Sequence, residues 1–233
     1  MRKSLGYLIG LVLLSLGCVH AARAADAGVA YIVSYFETAP QAANEARGLL
    51  QRLGEASRKD QGNLRFEVLQ RIGQAHHFAV IEAWQDQQAL SAHGAAAHTK
   101  QFRDKLMPLL SSPFDERPHS ALAVGSMQAA PASDAKAAAV YAVTHVDIVP
   151  TQKDIGIALV QQLSENGRKD AGNIRFEGLT QISRPNHMTV VEIWKDQQAV
   201  DAHAVAAHKK QFREKLMPLS GSLYDERLYK SIN

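Results

Sequence analysis

Cysteine occurs once in 233 residues, as Cys18 within an apolar N-terminal segment. The rest of the chain therefore offers no disulfide, no thiol nucleophile and no thiolate metal ligand. Tryptophan occurs only as Trp84 and Trp194. Phosphate-binding glycine loops, nucleophile elbows and dinucleotide fingerprints are missing, which removes the common nucleotide-dependent and serine-hydrolase classes. Excess charge is missing too. The formal net charge of +3 comes from Arg2, Lys3 and Arg23, since residues 1–24 contain no acid. Setting those three aside from the 26 basic residues leaves 23 against 23 acidic ones. A neutral chain gives no electrostatic ground for a nucleic-acid partner or an anionic membrane.

The first residues read as a targeting signal. Arg2 and Lys3 precede an apolar run over 5–19, and Ala22 and Ala24 place small residues at −3 and −1 of a cleavage site. This predicts a signal peptide over 1–24, cut after Ala24, and a periplasmic or secreted product that is free of the membrane once processed. The competing expectation is a lipoprotein acylated on Cys18. An exported chain without disulfides must rest on apolar cores.

What the chain does contain is a long internal repeat. Residues 84–109 recur as 194–219 without a gap, at an offset of 110, with 19 of 26 positions identical. The same offset aligns Arg58-Lys59-Asp60 with Arg168-Lys169-Asp170, Gly62-Asn63 with Gly172-Asn173, and Asp115-Glu116-Arg117 with Asp225-Glu226-Arg227. A period this long, present twice, means two tandem domains and not a solenoid. The expected domains are 29–120 and 139–230, joined by an Ala/Ser/Pro-rich linker over 121–138.

Each copy has the same legible elements. A Val/Ile/Tyr/Phe-rich strand over 29–37 is followed by a helix opened by Pro40, at a position where a missing N–H costs nothing. In copy two, Thr151 and Asp154 have capping-box spacing. Leu49 and Leu53, like Ile155, Leu159 and Leu163, mark a buried helical stripe. Residues 63–72 alternate, with Leu64, Phe66 and Val68 facing one way and Asn63, Arg65 and Glu67 the other. A strand over 77–84 pairs with that one, Asp86 caps the next helix, a further helix ends before Pro108, and a short last strand follows. The order β-α-β-β-α-β is the ferredoxin-like split βαβ arrangement, an α+β fold. Two such sheets packed face to face predict an intrachain dimeric α/β barrel, in which one chain supplies both halves of a pseudo-dimer.

The run Asp60-Gln61-Gly62-Asn63-Leu64-Arg65-Phe66-Glu67, the pair Glu82 and Trp84, and the spacing His93-x4-His98-x3-Phe102 resemble the antibiotic biosynthesis monooxygenase (ABM) family and its quinol-monooxygenase-like members. The likeness covers nearly all of both repeats. It implies a dimeric α/β barrel, here fused in tandem. In enzymatic members it implies oxygenation of electron-rich phenols or quinols by O2 without metal, flavin or haem.

His93 and His98, with their counterparts His203 and His208, are the expected catalytic residues: a neutral imidazole can remove a phenolic proton. Five residues on one straight helix are separated by about 140°, so a shared metal site is not expected. The competing role is capping or packing between helix and sheet. Trp84 and Trp194 are expected either to line the substrate pocket or to fill the core. Asn63, Arg65, Asn173 and Arg175 face the inter-domain seam, either as an interface network or as groups that orient a substrate oxygen. Glu67 and Glu82 are expected to pair with arginine across strands. Tyr31 and Tyr141 are candidate pocket walls. His77 and His187 are expected at an exposed turn, and the charged helix over 100–106 is assigned no site.

The leading expectation is therefore an exported, cofactor-independent monooxygenase acting on a small aromatic substrate and O2, with further homo-oligomers possible. The alternatives are a haem-binding or haem-degrading protein of the same barrel fold, and a non-catalytic small-ligand module.

Overall fold

The structure is a computed structural model that describes residues 28–125 and 138–232. The expected signal peptide and most of the linker lie outside the described residues. The first repeat comprises β1 (Ala30–Glu37), α1 (Ala43–Ser57), β2 (Asn63–Arg71), β3 (His77–Trp84), α2 (Gln87–Ala95), α3 (Ala97–Leu106) and β4 (Asp115–Ala123). The second comprises β5 (Val140–Asp147), α4 (Lys153–Gly167), β6 (Asn173–Gln181), β7 (His187–Trp194), α5 (Gln197–Val205), α6 (Ala207–Leu216) and β8 (Asp225–Ser231).

The strands close into one barrel in the order β1-β3-β2-β8-β5-β7-β6-β4. Closure depends on exchange between repeats: β4 pairs with β1 and also with β6, while β8 pairs with β5 and also with β2. No sheet edge in this ring is left to recruit another strand. β4 also runs into the stretch expected as linker, because Ala121 and Ala123 pair with β6. The two repeats therefore form a pseudo-dimer within one chain.

Three apolar cores follow from the alternation of the strands. Inside the barrel, Tyr31, Val33, Ile81, Tyr141, Leu179 and Ile193 are buried together. Outside it, the helices of each repeat cover their own strands: Leu49, Leu50, Leu53, Phe66, Val68, Val80, Phe102 and Leu106 in the first, and Leu159, Val160, Leu163, Phe176, Phe212 and Leu216 in the second.

Local details depart from the sequence pattern at four places. A bulge between Asn63 and Arg65 breaks the alternation, so Leu64 is exposed and not packed with Phe66 and Val68. The buried face of α4 runs through Gly156, Leu159, Val160, Leu163 and Gly167, which leaves Ile155 outside. The Thr151–Asp154 capping box does not form, because Thr151 lies in a 3-10 turn and α4 has no side-chain cap. His77 and His187 are half-buried and pair with Glu37 and Asp147 at 3.1 and 3.4 Å. Asp86 and Asp196 do cap their helices, each accepting from a backbone N–H at 2.8 Å.

Candidate active site

Asp60 is fixed by the turn that follows α1. Its N–H donates to the Ser57 carbonyl and its carbonyl accepts from Asn63 N–H, both at 3.1 Å. Gly62 adopts φ 79°, where glycine has no steric penalty, and a Cβ there would lie 2.5 Å from Ala89 Cβ. This tight turn presses the Asp60 carboxylate against the junction of α2 and α3.

That junction is sharp in both copies. Ala96 and Ala206 are extended, at φ −63°, ψ 147° and φ −61°, ψ 144°. The break does not depend on Gly94, which is Ala204 in copy two. It corrects the straight-helix geometry: His93 Nδ1 and His98 Nε2 reach the same Asp60 Oδ2, at 2.7 and 3.1 Å. His203 and His208 do the same to Asp170, at 2.6 and 3.1 Å. In each copy the carboxylate oxygen and two imidazole nitrogens lie within 4.8 Å of one another, a donor set a divalent metal could use. Only His93 and His203 hydrogen-bond to the carboxylate; His98 Nε2 and His208 Nε2, although 3.1 Å from it, have no hydrogen-bond partner among the described residues.

An Asp60 acceptor at Nδ1 places the His93 proton there and leaves Nε2 as a lone pair. Burial holds His93 below the usual histidine value, with the Asp60 hydrogen bond acting in the opposite direction. Nε2 lies 3.4 Å from Thr99 Oγ1 and 3.9 Å from Glu82 Oε2. Trp84 stands behind this group and not in front of it. It is fully buried, its ring stacks on His93 at 4.5 Å, and its Nε1–H donates to Glu82 Oε2 at 2.8 Å.

In front lies a cavity of about 240 Å³, between the helices of the first repeat and the outer faces of β1, β3 and β4. Phe36, Leu53, Phe102 and Phe114 give it apolar walls. Ser34, Glu82, His93 and Thr99 supply polar groups, and the Arg103–Glu116 pair, 3.0 Å apart, adds the charged ones. Arg103 and Phe102 thus belong to the site, although the sequence pattern gave none to the 100–106 stretch that carries them. Burial pushes the Glu82 carboxyl up to about 7, against the lowering effect of the Trp84 hydrogen bond.

The second repeat is built differently at one decisive position. Thr99 is matched by Lys209, which is 3% exposed. Its ammonium lies 3.0 Å from Glu192 Oε1 and 2.9 Å from Glu226 Oε2. Those residues match Glu82 and Glu116, two walls of the first cavity. Lys209 therefore fills in copy two the space between the carboxylates that is open in copy one. Trp194 keeps its place, its ring centroid 4.6 Å from that of His203 in a tilted contact and its Nε1–H donating to Glu192 Oε2 at 2.9 Å.

The remaining candidates gather elsewhere. Arg65 and Glu177 pair bidentately at 2.6 and 2.8 Å inside the barrel, and Arg175 pairs with Glu67 in the mirrored arrangement. The arginine–glutamate pairing expected across strands is thus a pairing between repeats, and Glu82 has no part in it. Tyr141 donates to Glu67 Oε1 at 3.2 Å, and Tyr31 is buried in the same interior core. Asn63 and Asn173 donate to the backbone carbonyls of Arg65 and Arg175 at the bulges. None of these residues lines the first-repeat cavity.

The profile of the antibiotic biosynthesis monooxygenase family matches residues 30–105 and 139–215. The chain belongs to this family. YcnE of Bacillus subtilis, provisionally assigned as a monooxygenase, is 30% identical over 82 residues, which is 35% of this chain and 86% of YcnE. An isomerase of (4S)-4-hydroxy-5-phosphonooxypentane-2,3-dione from Salmonella typhimurium is 40% identical over 55 residues, covering 24% of this chain and 57% of that protein. Among solved structures, a protein of Fusobacterium nucleatum superposes with a TM-score of 0.77 at 13% identity, covering 89% of this chain and 94% of its own. One from Lactobacillus acidophilus gives 0.72 at 14%, covering 88% and 95%. These two likenesses show the fold: whole chains of this size share the fused barrel.

Sequence reasoning missed Asp60 and Lys209. Asp60 was visible in a repeated tripeptide and at the head of the family-like run but was given no role, and Lys209 was visible only as one of seven differences in the 26-residue repeat. A charged residue facing a neutral one at matched helical positions was the available signal. A haem ligated by His93 would have to displace its stacking on Trp84 and its hydrogen bond to Asp60.

Proposed function

We propose that this ABM protein is a monooxygenase that oxidises a small quinol or phenol with O2 in the first-repeat cavity alone. One observation carries the reading: the cavity joins aromatic walls to an imidazole whose unprotonated Nε2, 3.4 Å from Thr99 Oγ1, is set by a carboxylate on Nδ1. The substrate ring packs against Phe36, Phe102 and Phe114. His93 Nε2 removes a hydroxyl proton, Asp60 steadies the imidazolium that forms, and the electron-rich anion reacts with O2. For a hydroquinone, one oxygen atom enters the ring, the other leaves as water, and the substrate supplies all four electrons. The step calls for no bound metal, flavin or haem.

Family membership by itself does not select oxidation, since one relative is an isomerase. An imidazole base set by a carboxylate would serve proton transfer as well. The discriminating experiment is oxygen uptake with a panel of hydroquinones. Uptake above the spontaneous rate, lost in His93→Ala, supports the reading; no enzyme-dependent uptake across the panel refutes it for those substrates. The non-catalytic alternative fits the second repeat, where Lys209 closes the space. We further propose that residues 1–24 export the protein, so that it works in the periplasm or outside the cell.

A further inference from the structure

The second repeat displays what the first-repeat cavity is shaped to hold. Glu192 divides its two oxygens: Oε2 accepts from Trp194 Nε1 and Oε1 takes the Lys209 ammonium at 3.0 Å. Glu82 repeats the first contact, with Oε2 accepting from Trp84 Nε1 at 2.8 Å. The matched donor for the rest of its carboxyl is absent, because Thr99 is too short to carry an ammonium to it. Glu116, the counterpart of the second carboxylate on Lys209, lines the same cavity. Ser34, also on that wall, is 2% exposed, and its Oγ has no hydrogen-bond partner. The cavity thus presents two carboxyl groups, of which Glu116 also meets Arg103 at 3.0 Å, and an unused hydroxyl, together with three phenylalanine rings.

We propose that the first-repeat cavity binds a small aromatic molecule carrying a primary ammonium group, seated between Glu82 and Glu116 as Lys209 seats its own between Glu192 and Glu226. The ring lies among Phe36, Phe102 and Phe114, and a short arm brings the ammonium to Glu82. The volume of about 240 Å³ suits a single ring with a short chain. In combination with the oxidation proposed above, the substrate class is a phenol or quinol bearing an aminoalkyl arm. That combination rests on the monooxygenase reading, whereas recognition of the ammonium stands on the carboxylates alone.

The test uses benzylamine, which is cationic at pH 7.5 and has no phenolic hydroxyl, against the neutral isostere benzyl alcohol. Isothermal titration of the purified protein should show one equivalent of benzylamine bound and at least tenfold weaker binding of benzyl alcohol. Glu82→Gln should lower benzylamine affinity at least tenfold. Thr99→Lys, which installs the second repeat's own ammonium, should abolish binding, with folding checked by circular dichroism. Equal binding of the two compounds, no binding of benzylamine, or undiminished binding to the folded Thr99→Lys protein would each overturn the proposal. Because benzylamine cannot undergo the quinol reaction, its binding and the oxygen uptake fail independently.

Discussion

Thr99 and Lys209 occupy the same position in the two repeats: where copy one has a carboxyl-lined cavity, copy two holds a buried ammonium between the matching carboxylates. In copy one the Thr99 hydroxyl stands 3.4 Å from the His93 ring nitrogens. In copy two the Lys209 ammonium bridges Glu192 and Glu226. The fused chain retains the symmetry of a dimer in its barrel and departs from it at the site.

Lys209 should be a stability residue and Thr99 should not. Lys209→Ala leaves Glu192, 1% exposed, without a counter-charge, and loss of one partner of a buried ion pair costs about 3–5 kcal/mol. Thr99→Ala removes only long hydrogen bonds and should cost about 1 kcal/mol. Urea denaturation of the two variants measures the difference, and equal midpoints would contradict the assignment of Lys209 as an internal counter-ion.

Glu82 makes a pH-dependent contribution whose sign is fixed by the direction of its shift. Its folded value of about 7 is above the ordinary 4.5, so the native state binds a proton more tightly than the unfolded chain. Stability from this group is full below pH 4.5 and declines as pH rises towards 7. The groups facing it are Trp84 on its own strand, His93 from α2, Arg103 from α3 and Glu116 from β4. Glu82→Gln keeps an acceptor for Trp84 and should raise stability at pH 8 by about 1–3 kcal/mol, with little change at pH 4. Melting curves at both pH values check this; a variant less stable at pH 8 would contradict it.

Asp60 should act through His93. Asp60→Asn can donate to Nδ1 and drive the proton to Nε2, which removes the base, so kcat should fall at least about a hundredfold. Because burial holds His93 below the usual histidine value, kcat/KM in the wild type should rise with pH through a value under 6.5 and then level off. Steady-state oxygen uptake across pH reads both effects. A full-rate Asp60→Asn enzyme would show that the carboxylate does not set the tautomer.

Removal of metal should leave activity unchanged. The Asp60–His93–His98 cluster could coordinate an ion, but the proposed chemistry uses His93 Nδ1 as a hydrogen-bond donor. Prolonged dialysis against a chelator should preserve oxygen uptake. Loss of uptake, restored by iron(II) or another divalent ion, would instead make the cluster a metal centre.

The architecture was legible in the sequence because the repeat doubles every signal. Alternating strands, Asp86 at a helix start and a constant offset led to two split βαβ units and to the barrel. The inward placement of Arg65 and Glu67 was legible from the same alternation, but their bond to the opposite repeat was not, since sequence order does not show which strands close the ring. The site was less legible. The sequence separates two helices here, but Ala204-Val205 in copy two argues against a break near Gly94-Ala95; the extended Ala96 nonetheless turns His93 and His98 onto one carboxylate. Alanine carries no signature for such a break. Trp84 was recognisable as a large buried group, but a one-dimensional pattern does not show whether an indole lines a cavity or backs the residues that do. Lys209 received no role in the sequence reading, since buried lysines are uncommon and its partners, Glu192 and Glu226, lie on distant strands.

The most direct test of a single working site is 18O2 incorporation into a hydroquinone by matched variants of the two repeats. His93→Ala should abolish incorporation of label into the ring, and His203→Ala should leave it within about twofold of the wild type once folding is confirmed. Equal losses in the two variants, or retained incorporation in His93→Ala, would contradict the account.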